Sequence, residues 1–166
     1  MEGRRRRATK PGMTAAFHIR RAGPADAKIL AQLRYDFRVE LDPPSEPAHI
    51  FRERCEEWMS EQLDRDGRWS CWLAVLGETP VGTLWMQLIE KLPNPNGHRD
   101  YHGYISSVYV VPEFRNAGLG SALLQTCISE AEMFGVDALF LWPSARSRPL
   151  YARHGFVVRE DLLERR

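Results

Sequence analysis

The stretch Val108-Tyr109-Val110-Val111-Pro112-Glu113-Phe114-Arg115-Asn116-Ala117-Gly118-Leu119-Gly120-Ser121 decides how this 166-residue chain is read. Its first four residues are β-branched or aromatic and form the end of a strand, which Pro112 stops. A short loop carries Arg115. Gly118 and Gly120 then open a helix whose apolar face is Leu119, Ala122, Leu123, Thr126, Cys127, Ala131 and Phe134. Glycines at that place let the backbone approach a ligand closely. The free N–H groups and positive dipole end of a new helix favour an anion. A diphosphate is the natural guest, with Arg115 adding charge and donors. Two common phosphate motifs do not fit. No lysine follows Gly120, as a Walker loop requires, and Leu123 stands where a dinucleotide fingerprint needs its third glycine.

Working outward, Phe17-His18-Ile19-Arg20 alternates like a first strand, and Gly23-Pro24-Ala25-Asp26 turns the chain and offers Asp26 as a helix cap. Ile29, Leu30, Leu33 and Phe37 make one helical stripe that Pro43-Pro44 ends. Ser45 is expected to cap a second helix with the stripe Phe51, Cys55, Trp58, Met59 and Leu63, in which Trp58 reads as core. Residues 69–76 and 81–89 read as a hairpin around Gly77-Glu78-Thr79-Pro80. Residues 90–102 read as a loop, and 104–111 as the strand that meets the glycine turn. Downstream, Gly135 closes the helix, 138–142 is a buried strand parallel to its neighbour, Leu150–Arg153 is a short helix, and Phe156-Val157-Val158 is a last strand. The order is β α α β β β α β α β, which makes a single mixed α/β sheet flanked by helices.

Composition bounds the rest. Hydrophobic residues are 43% and charged residues 27%, which suits one soluble globular domain. Residues 1–12 carry five basic side chains against Glu2, a net +4, so −3 remains on the body of a chain whose total is +1. Residues 1–14 are expected to be a disordered basic tail, and 15–166 the folded domain. An acidic body argues against nucleic acid as a partner. No apolar run reaches the roughly 20 residues a membrane span needs, so no membrane partner is expected. Cys55, Cys71 and Cys127 are odd in number, lie among apolar neighbours and read as reduced core thiols, which points to the cytoplasm. No Cys or His pair has metal-ligand spacing, so no metal is expected.

The run Val108-Tyr-Val-Val-Pro-x-x-Arg-x-x-Gly-x-Gly resembles the pyrophosphate motif of the GNAT superfamily of acyl-CoA-dependent N-acyltransferases. A second stretch, Ser144-Ala-Arg-Ser-Arg-Pro-Leu-Tyr151-Ala-Arg-His-Gly-Phe156, is similar to that family's downstream segment, with Ser144 where the family often has Asn and Ser147 where it often has Ala. The resemblance covers residues 17 to about 160 and implies acetyl-CoA as co-substrate. It also implies central strands that splay so that the pantetheine arm lies between them as an added strand. Val108, Tyr109 and Val110 would supply backbone groups to that arm, and the Val110 N–H would face the thioester carbonyl. Arg115, Asn116, Ala117, Gly118, Leu119, Gly120 and Ser121 would surround the diphosphate, and Ser144 belongs to the cofactor-binding set on the pantetheine side. Arg146, Arg148 and Arg153 are candidates for the 3′-phosphate.

Tyr151 stands where the family places the tyrosine that protonates the leaving thiolate, and also belongs to the cofactor-binding set. A phenol of pKa near 10 keeps its proton at neutral pH. The plainer reading of Tyr151 is a core aromatic. Glu90, His102, Ser106 and Ser107 are candidates to relay the amine's proton, none singled out. Tyr35, Trp85, Tyr101 and His102 are candidates to wall an acceptor pocket. The expected acceptor is a small-molecule or peptide amine. A homodimer is compatible with the sequence. A non-catalytic acyl-CoA-binding regulator is the alternative.

Overall fold

A continuous apolar run makes the sheet's spine. In the computed structural model, which describes residues 16–65, 67–93, 95 and 101–165, that run is β2 (Trp69–Leu76), and its residues Cys71–Val75 are buried on both faces. β1 (Phe17–Arg21) and β3 (Thr79–Glu90) flank it antiparallel. β4 (Tyr101–Val110) pairs antiparallel with β3, and β5 (Ala138–Phe140) pairs parallel with β4, so the order is β1-β2-β3-β4-β5. The helices are α1 (Ala27–Val39), α2 (Ala48–Asp64), α3 (Leu119–Met133) and α4 (Arg148–Arg153). This is the single mixed α/β sheet that the sequence pattern implies.

The period-2 alternation of β2 sorts the core into two layers. Trp72 and Ala74 join Leu84, Met86 and Ile105 against Leu123, Leu124 and Cys127 of α3. Cys71, Leu73 and Val75 face the other way, with Trp85 and Tyr109, against Leu30 and Leu33 of α1 and Met59 of α2. Trp72 is fully buried, and its indole N–H donates to Glu130 Oε1 at 2.7 Å, so its polar atom is satisfied.

Several expectations change. No strand forms over 156–158. Gly155 (φ +83°) and the bonds from the Gly155 and Phe156 N–H groups to the Ala152 and Tyr151 carbonyls close α4 instead. Phe156 turns inward onto the Tyr151 ring, while Val157 and Val158 stay exposed. β5 ends at Phe140, two residues early. β4 starts at Tyr101, so Tyr101 and His102 are strand residues, not loop. α2 starts at Ala48 with Pro47 at its cap position, so Ser45 does not cap it. Asp26 does not cap α1 with its side chain; its carboxylate accepts from the Gly23 N–H and from Arg20. The basic tail and part of the 90–102 loop (residues 94 and 96–100) lie outside the described residues.

Candidate active site

β4 outruns its outer partner. β5 pairs with it only at His102, Gly103 and Tyr104, which leaves Ile105–Val110 without a strand on that side. The joint is tight: a Cβ on Gly103 would sit 2.4 Å from Leu139 Cδ2, so that side chain would have to shift. The Val111 N–H donates to the Val81 carbonyl on the β3 side. Successive amides of an extended strand face opposite ways, so the Val110 N–H faces the open side.

A bulge shapes the same strand. Trp85 opposes Ser106 and Thr83 opposes Tyr109, with Ser107 at φ 51° in between. The extra residue turns two successive serines to the α1/α2 face, while Ile105, Val108 and Val110 pack on the α3 side.

Beyond Val111, Asn116 (φ 62°) and Gly118 (φ 87°) adopt the left-handed conformation. Gly118 is the cap residue of α3 and no side chain caps that helix. The first bonded amide is Ala122, which donates to the Gly118 carbonyl. Among the described residues, the backbone N–H groups of Asn116, Ala117, Gly118, Leu119, Gly120 and Ser121 have no protein acceptor. A Cβ on Gly118 would meet nothing within 4 Å, and one on Gly120 only Leu150 Cδ2 at 3.5 Å. Turn, space and donors together form an anion cradle of backbone amides.

Arg115 is committed elsewhere. Its Nε donates to the Val110 carbonyl at 2.7 Å and its Nη2 to both carboxylate oxygens of Glu40 at 2.8 Å. Tyr109 Oη also donates to Glu40 Oε1, at 2.9 Å. Glu40 at the end of α1 therefore ties the strand to the turn that begins at Arg115. Partial burial pushes the Glu40 carboxyl up, but the Arg115 and Tyr109 hydrogen bonds outweigh this and leave it below its ordinary value. Burial and the Glu40 carboxylate both raise the Tyr109 phenol.

Tyr151 is buried in the α3-side cluster to which Val108, Val110 and Leu150 also belong. Burial raises its pKa to about 12, and a hydrogen bond with Ser147 pulls the other way. Ser144 works locally: its Oγ is 2.9 Å from Ser147 Oγ, and the Ser147 N–H and hydroxyl also bond to it, which shapes the turn into α4. Ser147 precedes Tyr151 by four, the spacing that puts both on one helix face. Ser147, noted in the sequence only as a departure from the family's usual alanine, is therefore a neighbour of Tyr151. His154, three residues on from Tyr151, places Nε2 3.0 Å from Ser121 Oγ at the start of α3.

On the other face a cavity of about 490 Å³ opens between α1, α2 and the sheet. Trp58, Trp69 and Trp85 form one wall, and Arg34, Ser106 and Ser107 form the end next to Val108. Trp58 is 42% exposed, so it is a wall and not core filler. Trp85 lines this cavity as expected, whereas Tyr35 lines a smaller neighbour of about 170 Å³. Tyr101, His102 and Glu90 sit at the far end of the β3–β4 pair. His102 lies four residues, about 13 Å, from Ser106. Arg146, Arg148 and Arg153 are exposed around α4. No group of three or more His, Cys, Asp or Glu among the described residues could hold a metal.

The sequence model of the acetyltransferase (GNAT) family matches residues 31–156, which spans the strand, the cradle and Tyr151. The chain belongs to the GNAT family of acetyltransferases. Acetyl-CoA is that family's co-substrate, and the open strand edge and the row of unpaired amides fit it. A predicted acetyltransferase from Clostridium acetobutylicum, solved with acetyl-CoA, superposes with a TM-score of 0.78 at 20% identity, covering 91% of this chain and 96% of its own. A GCN5-related N-acetyltransferase from Ralstonia eutropha gives 0.74 at 24%, covering 90% and 98%. An aminoglycoside acetyltransferase from an uncultured soil sample, solved with trehalose, gives 0.69 at 17%, covering 90% and 94%. At these identities the likeness establishes the fold. No helix among the described residues of this GNAT protein is long and apolar enough to cross a membrane.

Proposed function

We propose that this GNAT protein transfers an acetyl group from acetyl-CoA to a primary amine, by direct attack of the amine on the thioester. The observation that carries the reading is the continuity of the unpaired edge of β4 with the unpaired amides of residues 116–121. The first offers backbone partners to an extended arm, the second to a diphosphate.

The Val110 N–H faces the open edge and stabilises the oxyanion that forms as the amine adds. A donor in that role is worth roughly 3–4 kcal/mol. The new C–N bond forms, the C–S bond breaks, and Tyr151 gives its proton to the departing thiolate. Its raised pKa keeps the phenol protonated throughout the neutral range. The two protons of the ammonium's conversion to an amide leave by water; Ser106 and Ser107 are placed to hold that water. One of these protons restores Tyr151, so one proton is released overall. Arg115 and Glu40 position the strand and turn; the phosphate contacts come from backbone. Ser144 acts through the α4 turn.

The test is a thiol-release assay with acetyl-CoA across amine classes, paired with a thermal melt. Acetyl-CoA should raise the melting temperature, and a suitable amine should release CoA thiol. A melt unmoved by saturating acetyl-CoA would refute the cradle assignment. A large shift with no turnover on any amine would show a binding module instead.

A further inference from the structure

The cavity on the α1/α2 face has a charge pattern that selects its occupant. Among the described residues no carboxylate lines it, and the charged residues that do are Arg34 and Arg54. Arg54 is neutralised by Glu46 and is largely exposed. Arg34 differs. Its Nη1 donates to Ser107 Oγ at 2.6 Å and its guanidinium carbon lies 5.7 Å from the Phe37 ring centre. Among the described residues no carboxylate comes within ion-pair distance of it. Burial and nearby Arg38 both work against its charge. A cation half-withdrawn from water without a counter-ion is costly to keep, and an anion arriving there relieves the cost.

The rest of the cavity is aromatic. The Trp58, Trp69 and Trp85 ring centres are 5.3, 6.0 and 6.1 Å apart, tilted or edge-on to one another, and Met59 and Phe51 complete the apolar lining. Such a wall takes a flat or bulky apolar group.

We propose that the acceptor is a free α-amino acid with a large apolar side chain, held by its carboxylate on Arg34 and by its side chain among the three tryptophans. The inference rests on the acyl-transfer reading and names its substrate class. The α-amine is the reacting group for a geometric reason. In an α-amino acid the nitrogen and the carboxyl carbon are about 2.5 Å apart. Arg34 is anchored on Ser107, inside the stretch Ile105–Val110 where β4 has no outer partner. A carboxylate on Arg34 therefore delivers the α-amine to the open strand edge. A side-chain amine of lysine would be carried several ångströms past it. Polycationic acceptors meet two arginines and, among the described residues, no lining carboxylate. The products are the N-acetyl amino acid, CoA thiol and one proton.

The test is thiol release by the full chain with acetyl-CoA and matched acceptors. L-Tryptophan, L-phenylalanine and L-leucine stand against tryptamine and phenethylamine, which lack only the carboxylate, and against L-lysine and an aminoglycoside. The expected result is turnover of the apolar amino acids with kcat/KM roughly 100-fold or more above the decarboxylated amines. Arg34→Met should collapse that preference, and Arg34→Lys should restore part of it. L-Phenylalanine should also shift the tryptophan emission of the wild-type chain, a readout that needs neither turnover nor a folded variant. Equal rates for acid and amine pairs, preferred turnover of lysine or aminoglycoside, or no turnover of any amino acid would overturn the proposal. If the melt still responds to acetyl-CoA in those cases, only the substrate class fails. If it does not, the acyl-transfer reading fails first.

Discussion

Gly118→Ala separates the grip on a diphosphate from ordinary stability. Gly118 adopts φ 87°, and an added Cβ would meet nothing within 4 Å, so the stability cost is conformational and not steric. That cost is about 1–2 kcal/mol for a non-glycine residue. In a domain of this size each kcal/mol lowers the melting temperature by roughly 2–4 °C, so the drop should be about 2–8 °C. Gly135 provides the control, with φ 70°, an equally open Cβ position, and a place beyond the opposite end of α3, about 25 Å away. Gly135→Ala should lose comparable stability and keep its affinity for acetyl-CoA. Gly118→Ala should also weaken acetyl-CoA, because its methyl enters the space above the amide row or its backbone leaves the left-handed region. Losing one charge-assisted hydrogen bond costs roughly 1.5–3 kcal/mol, a 10- to 150-fold rise in Kd. Calorimetric titration and paired melts read both quantities. Equal acetyl-CoA affinity in the two variants would refute the assignment of the diphosphate to residues 116–121.

Tyr151→Phe should lower kcat by roughly 100- to 10,000-fold with the acetyl-CoA Kd nearly unchanged, and a preserved rate would remove Tyr151 from the mechanism. The raised Tyr151 pKa also has a stability consequence. The protonated phenol is the form the fold prefers, so its contribution is intact below pH 10 and is lost as pH climbs toward 12. Wild-type melts should steepen their decline there relative to Tyr151→Phe. Glu40→Gln should cost about 1 kcal/mol, since Arg115 and Glu40 remain a quarter exposed. Glu40 contributes above the ordinary carboxylate pKa and loses that contribution as pH falls through its lowered value, so the gap between wild type and Glu40→Gln should close in acid. Of the three free thiols, half-buried Cys55 should react first with a thiol reagent, because Cys71 and Cys127 are fully buried; burial pushes all three thiols up, and at Cys55 nearby Arg34 and Arg54 oppose it. A bulky adduct on Cys55 should block the cavity it lines; unchanged acceptor turnover after complete labelling would separate that cavity from catalysis.

The amino-acid sequence by itself determined the mixed sheet, most of its elements and the family, because these rest on local signals. A run of apolar residues, a proline, and paired glycines before a helical stripe carry their meaning within a dozen positions. Gly118 and Gly120 mark the turn into the helix over 119–133 in the same way. Only the tertiary structure decided which groups meet. Glu40 reaches Arg115 across 75 positions and Arg34 reaches Ser107 across 73, and no local period encodes such pairs. The bulge that turns Ser106 and Ser107 to one face depends on register against β3, which a single strand's residues do not specify. The stripe containing Trp58 fits a core-facing helix, yet Trp58 lines the cavity and stays 42% exposed. Val157 and Val158 have strand propensity, but pairing needs a neighbour, and the chain turns Phe156 into the core instead.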